Sequence, residues 1–131
     1  MKKVLILEDD ARISTALAVR LRAAGYEVLT AVDPAFASML AVTHRPDLII
    51  SDIWMPVAQG FTFARRLKSF GLENVPIIFI TASKREGLWE TAMSLGAVGF
   101  FEKPYDPQRL LACVQEALRG SSPEDRGVAR N

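Results

Sequence analysis

Five short apolar runs, at residues 4–7, 27–31, 48–51, 76–81 and 98–101, are separated by longer stretches with helical periodicity. Few folds accommodate that alternation. Several runs, such as Leu48-Ile49-Ile50, are apolar at every position rather than at every second one. A strand reads this way when both its faces are buried, as in a parallel sheet covered by helices on each side. The intervening stretches supply the helices. Ile13, Leu17 and Leu21 form an i, i+4, i+8 stripe that Gly25 closes. Residues 35–43 follow Asp33-Pro34, a cap with a proline at the first helical position. Residues 61–70 end at Gly71, 86–95 at Gly96, and 107–118 just before Gly120, with Leu110, Leu111, Val114 and Leu118 facing inward. The pattern is α/β, a (βα)5 unit with crossover helices. Residues 1–120 read as one domain. Residues 121–131 are polar and aperiodic, a fraying tail or the start of a linker.

Five strands in a doubly wound sheet commonly take the order 2-1-3-4-5, the flavodoxin-like arrangement. Its ligands bind at the switch point, beyond the carboxyl ends of the first and third strands. Those ends carry Glu8-Asp9-Asp10 and Asp52. The fourth strand ends at Thr81-Ala82-Ser83 and the fifth at Glu102-Lys103-Pro104. The topology alone therefore gathers carboxylates, a hydroxyl and an ammonium in one crevice.

Carboxylates held together repel one another unless a positive charge joins them. Mg²⁺ suits such a cluster, since it is commonly held by one or two carboxylates together with water and phosphate oxygens. Phosphoryl transfer asks a protein mainly for positioning and charge neutralisation, and an aspartate can itself accept the group. On this reading Asp52 is the phosphoacceptor and Asp9 its metal-binding neighbour. Thr81 and Lys103 hold the phosphoryl oxygens.

The motifs Leu7-Glu8-Asp9-Asp10, Asp52-Ile53-Trp54-Met55-Pro56, Thr81-Ala82 and Lys103-Pro104 stand in that order along the chain. Through them the chain resembles the receiver domain of two-component response regulators, the CheY-like superfamily, over nearly its whole length. Any one motif is weak, but the four together on a (βα)5 pattern are specific. The resemblance implies phosphorylation of Asp52 by a histidine kinase or histidine phosphotransfer protein. It implies Mg²⁺ bound by Asp9, Asp52 and the backbone carbonyl of Trp54, with Glu8 reaching the ion through water. Glu8 and Asp9 are taken as the acidic pair, leaving Asp10 to start the first helix. Thr81 and Phe100 match the family's switch pair, and the Lys103–Pro104 bond would be cis. The resemblance makes the chain a signalling switch that catalyses only its own phosphoryl acceptance and loss, not a dedicated enzyme. Its signalling face would comprise the fourth helix, fifth strand and fifth helix, with homodimerisation as one use. Trp89 and Phe100 are interface candidates there, Trp89 being expected to be substantially exposed. Two departures stand out. The loop after Pro56 reads Val57-Ala58-Gln59-Gly60 where the family often has Gly-Met-Asp-Gly. Phe100 replaces a frequent tyrosine and has no hydroxyl to donate.

Each residue also has an ordinary reading. Glu8-Asp9-Asp10 alone suits a helix N-terminus, where the macrodipole favours acids. Lys103 alone is a surface lysine, Thr81 a strand end, and Trp54 and Trp89 packing residues. His44 sits at a helix C-terminus without a metal partner in the sequence. Two other functions share the architecture. A flavodoxin needs a hydroxyl- and glycine-rich loop after the first strand to cradle a phosphate, and here that loop is acidic. A haloacid dehalogenase-like phosphatase carries a second acid two residues after its nucleophile, where this chain has Trp54. With 16 Lys and Arg against 15 Asp and Glu, the net charge of +1 gives no support for a general nucleic-acid or membrane surface. The basic groups at Arg20 and Arg22, Arg65-Arg66 with Lys68, and Lys84-Arg85 read as solvated helix faces or loops. Cys113 is the single cysteine, so no disulfide forms within the chain. The first apolar run is too short for a signal peptide and none is long enough for a membrane span, which predicts a cytoplasmic protein.

Overall fold

The computed structural model describes residues 1–53, 59–119 and 127–131. The Trp54 carbonyl, the loop 55–58 and Gly120 lie outside the described residues. Strands β1 (Lys3–Leu7), β2 (Glu27–Ala31), β3 (Leu48–Asp52), β4 (Ile77–Thr81) and β5 (Gly99–Glu102) form a parallel sheet in the order β2-β1-β3-β4-β5. Between them run α1 (Ala11–Ala23), α2 (Pro34–His44), α3 (Gln59–Arg66), α4 (Leu88–Ser94) and α5 (Pro107–Leu118), with a 3₁₀ turn at Leu67–Phe70 after α3. The order and connectivity are those read from the sequence.

Alternation along each strand divides the core into two layers. Leu5, Leu7, Ile49, Ile77, Phe79 and Phe100 pack with α2, α3 and α4. Val4, Ile6, Leu48, Ile50, Ile78, Ile80 and Phe101 pack with α1 and α5. Both layers are dry, so each central strand must be apolar at every position, and the sequence runs are continuous for that reason. Three helices start on aspartates. Asp10, Asp33 and Asp106 accept hydrogen bonds from the backbone N–H of Arg12 (2.9 Å), Phe36 (2.8 Å) and Gln108 (2.9 Å), satisfying otherwise orphaned donors. Helix α4 starts at Leu88, two residues later than the periodicity suggests, because Gly87 preceding it takes a left-handed conformation (φ 87°).

The last residues depart from the expected fraying. Ala129–Arg130 form β6, which extends the sheet parallel to β5 in the register Gly99↔Ala129 and Phe100↔Arg130. A two-residue strand carries no periodicity, so nothing in the sequence announces it.

Two glycines permit close approaches that position the C-terminal rim of the sheet. A Cβ on Gly99 would lie 2.8 Å from Cys113 Sγ, so the glycine lets α5 seat closely on β5. A Cβ on Gly60 would collide with the backbone carbonyl oxygen of Asp52 and lie 2.8 Å from Ser51 Oγ. Helix α3 therefore starts directly against the end of β3, and backbone atoms cannot yield as a flexible side chain can. Gly60→Ala should lower stability by roughly 1–3 kcal/mol, the usual cost of overpacking. A fall in the urea midpoint at unchanged slope is the expected observation, and an unchanged midpoint would mean that this contact does not hold α3 in place.

Candidate functional site

The register Leu7↔Ser51 between β1 and β3 brings the next residues, Glu8 and Asp52, to the same rim. Glu8 is buried on the site side, its N–H bonded to Ala31 O at 3.0 Å. Asp52 is 3 % exposed. Asp9 is exposed and Asp10 half-buried. Lys103 follows β5, and its own N–H donates to Thr81 O (2.7 Å), which ties the end of β5 to β4. The Lys103 Nζ donates to Glu8 Oε1 at 2.8 Å and lies 3.4 Å from Asp52 Oδ1. The second Glu8 oxygen accepts from the Asp10 N–H at 3.1 Å. The Lys103–Pro104 bond is cis. Asp9, Asp52, Ser83 and Lys103 line a cleft of about 530 Å³.

The electrostatics follow from that packing. Burial pushes the Glu8 carboxyl up to about 7, even though the Lys103 hydrogen bond opposes it. Burial likewise holds Asp52 above its ordinary value, against the pull of Lys103. Burial alone would lower the Lys103 ammonium, but Glu8 and Asp52 outweigh it and the net shift is upward. Two carboxylates thus share one ammonium, and Asp9 adds a third carboxylate beside them. Oxygens of Glu8, Asp9 and Asp52 lie within 4.8 Å of one another. Buried Asp52 Oδ1, ion-paired with Lys103 at 3.4 Å, has no hydrogen-bond partner among the described residues. An oxygen-only donor set with surplus negative charge and one unsatisfied buried oxygen fits a hard divalent cation such as Mg²⁺.

Thr81 is buried at the end of β4. Its hydroxyl donates to Ile53 O (3.0 Å) and accepts from the Ser83 N–H (3.0 Å). Phe100 is 3 % exposed, its ring facing the layer formed with α2, α3 and α4. It meets Trp89 edge-to-face at 5.7 Å. The expectation of a substantially exposed Trp89 needs correction. Trp89 is half-buried and packs on the core, because it lies in the first turn of a short helix directly over β5. The Arg130 guanidinium covers its ring at 4.0 Å from the centroid. Phe100 therefore offers little surface of its own in this arrangement. The structure brings Glu8, Asp9, Asp52 and Lys103 together, with Thr81 adjoining and Trp89 and Phe100 paired further along β5. Sequence reasoning missed Arg130 and Asn131, whose contacts depend on the unannounced β6.

Residues 4–115 match the family model for the response regulator receiver domain. The chain is 38% identical over 125 residues to the phosphate regulon transcriptional regulatory protein PhoB of Pseudomonas aeruginosa, covering 95% of this chain and 55% of that protein. It is 35% identical over 120 residues to the alkaline phosphatase synthesis transcriptional regulatory protein PhoP of Bacillus subtilis, covering 92% and 50%. Among solved structures, the chemotaxis response regulator CheY4 of Vibrio cholerae superposes with a TM-score of 0.77 at 36% identity, covering 89% of this chain and 98% of that one. This chain is therefore a member of the response regulator receiver domain family. It spans about half the length of the curated relatives it matches. No helix among the described residues is long and apolar enough to cross a membrane.

The raised pKa of Asp52 gives a stability test with a definite sign. The folded state binds this proton more tightly than the unfolded chain, whose value is 3.8. That contribution is fully present below 3.8 and is lost as pH rises through the raised folded value. Asn at position 52 cannot ionise and escapes the loss. In buffer containing EDTA, Asp52→Asn should exceed the parent by about 0.5–2 kcal/mol at roughly pH 8, with the gap closing toward pH 4. Urea titrations at the two pH values check this, and equal midpoints at the higher pH would contradict the cost of burying the Asp52 charge.

Proposed function

We propose that this chain is a phosphorylation-operated switch of a two-component phosphorelay, with Asp52 as the acceptor. The observation that carries the reading is the carboxylate of Asp52, buried at the switch point, with Oδ1 3.4 Å from the Lys103 ammonium and without a hydrogen-bond partner among the described residues. The donor is a histidine kinase or histidine phosphotransfer protein. A carboxylate oxygen of Asp52 attacks phosphorus and the new O–P bond forms as the P–N bond of the donor phosphohistidine breaks. The electron pair goes to the departing imidazole nitrogen. The Lys103 ammonium, 3.4 Å from Asp52 Oδ1, would offset charge on the incoming phosphoryl oxygens. Asp9 and Asp52 would hold Mg²⁺, which when bound supplies charge neutralisation for the transferring group. Glu8, both of whose oxygens are engaged by Lys103 and the Asp10 N–H, suits a more distant, water-mediated part. Hydrolysis of the aspartyl phosphate at the same site belongs to this reading, with no further enzymatic activity.

Thr81 is the element that senses the change. Its hydroxyl now donates to Ile53 O. A phosphoryl group on Asp52 offers a charged acceptor instead, and charge-assisted hydrogen bonds are the stronger kind. The hydroxyl moves to it, and Phe100 repacks in the space beside β4 and β5. Phosphorylation thus biases a two-state element. The change is read on the face made by α4, β5 and α5, by a partner or by a second copy of the chain. The unit that does this is the receiver domain of residues 1–120, to whose sheet Ala129–Arg130 add a short strand, acting in the cytoplasm.

Incubation with acetyl phosphate and Mg²⁺ should add one phosphoryl group, acid-stable and base-labile, detected by intact-mass spectrometry. EDTA should prevent the addition. Asp52→Ala should abolish it, and labelling of that variant at the parental level would overturn the assignment. Thr81→Ala should still be labelled but should lose the accompanying change in Trp89 fluorescence, measured with Trp54 replaced by Phe.

A further inference from the structure

The last strand of an open sheet normally leaves a row of unpaired N–H and C=O groups. The edge of β5 is instead occupied by three consecutive residues of the same chain, each through a different contact. The Ala129 N–H donates to Val98 O at 3.1 Å, and its side chain packs against the α1 and α5 layer. The Arg130 guanidinium lies 4.0 Å from the Trp89 ring centroid and 5.8 Å from that of Phe100. The Asn131 side chain imitates a strand backbone. Its Oδ1 accepts from the Glu102 N–H (3.0 Å), and its Nδ2 donates to Glu102 O (2.6 Å). A cleft of about 530 Å³ bordered by Ser83, Trp89, Phe100, Glu102 and Arg130 continues the groove toward the end of β4.

We propose that the β5 edge and the Trp89–Phe100 ledge form a strand-docking surface with a seat for an arginine, and that its resident occupant is the chain's own Ala129–Asn131. Main-chain pairing along an exposed edge supplies affinity and a side-chain pocket supplies selectivity. Here the pocket is an aromatic pair that attracts a planar cation through its ring faces. The docked segment covers β5 and Trp89, which belong to the α4–β5–α5 face. It therefore competes with any partner that must reach that face, a second copy included. Docking stands on the contacts alone. Its control by Asp52 rests on the switch reading above, because movement of Phe100 alters the ledge on which Arg130 lies.

The test uses the full chain with Arg130 and Asn131 both replaced by Ala. Amide hydrogen exchange is first read without phosphodonor and with EDTA, so the outcome does not depend on phosphorylation. Exchange at Glu102 should accelerate on the order of tenfold, the effect of losing a contact of ordinary strength, while β1 and β3 keep their protection. Arg130→Lys, which keeps the charge but loses the planar stack, should fall between parent and double variant. Unchanged exchange at Glu102 would overturn docking. Parental protection that fades on dilution would also overturn it, by assigning the occupant to a second copy. With acetyl phosphate and Mg²⁺, sedimentation velocity should show the double variant self-associating at a lower concentration than the parent. Faster exchange with identical self-association would overturn the competition. Failure of Asp52 to be labelled would leave the exchange result standing and remove only the link to phosphorylation.

Discussion

The ammonium of Lys103 lies 2.8 Å from Glu8 and 3.4 Å from Asp52, and the arrangement of the rim depends on it. Glu8 comes from the end of β1, Asp52 from β3 and Lys103 from beyond β5. One cation therefore joins three strands that reach the same edge from distant parts of the sequence. The backbone fixes the cation in turn, since the Lys103 N–H is bonded to Thr81 O. Buried charges persist only when paired and hydrogen-bonded, and a single ammonium cannot satisfy three carboxylates. Burial raises both carboxyl pKa values against the pull of Lys103, and Asp52 Oδ1 accepts no hydrogen bond from the described residues. The rim holds negative charge in a form that a cation or a phosphoryl group can use, and the core beneath does not share in it.

From this pair a contiguous set of contacts leads outward. Asp52 is followed by Ile53, whose carbonyl accepts the Thr81 hydroxyl. Thr81 ends β4 beside Glu102 in β5. Phe100, two residues earlier in β5, meets Trp89 of α4, and Trp89 meets Arg130. The path is short because the parallel ladder sets these residues on adjacent strands. Thr81 is its most changeable member. A hydroxyl that accepts one bond and donates another can turn to a different acceptor without leaving a buried donor unpaired.

The fold was legible because its signal is redundant. Continuous apolar runs such as Leu48-Ile49-Ile50 identify doubly covered strands, and Asp33-Pro34 marks a helix start on its own. Chain order then dictates which strand ends meet, so Glu8, Asp52, Thr81 and Lys103 could be placed in one crevice without coordinates. Exposure was less legible. Trp89 was expected to lie largely in solvent, since its helix position alone points outward. Its actual environment depends on the short α4 and on Arg130, which is 41 positions further along the chain. The pairing of Ala129–Arg130 with β5 left no mark in the sequence, because a two-residue strand has neither periodicity nor a hydrophobic run. Gly60 was visible as a retained glycine, but only the structure shows the Asp52 carbonyl against which a side chain would collide.

The division between apolar layers and charged rim explains how the protein tolerates its site. Leu5, Ile6, Ile49, Ile50, Ile78 and Phe79 are wholly buried in the centre of the sheet. Close-packed apolar layers of this kind supply most of the driving force for folding. Among the buried polar residues, Glu8, Asp52 and Thr81 each stand at or just beyond the last position of a strand, where the layers end, and Ser51 stands one position before it. A parallel sheet places all its strand ends of one kind on the same side, so the destabilising groups collect where a ligand can relieve them. Buried charge is concentrated at this rim, although Ser38 Oγ in α2 is a second buried polar atom without a hydrogen-bond partner, and such a concentration is expected where selection acts on function rather than on stability. The same topology that makes the core easy to read thus gathers its buried charges among the residues on which the proposed chemistry depends.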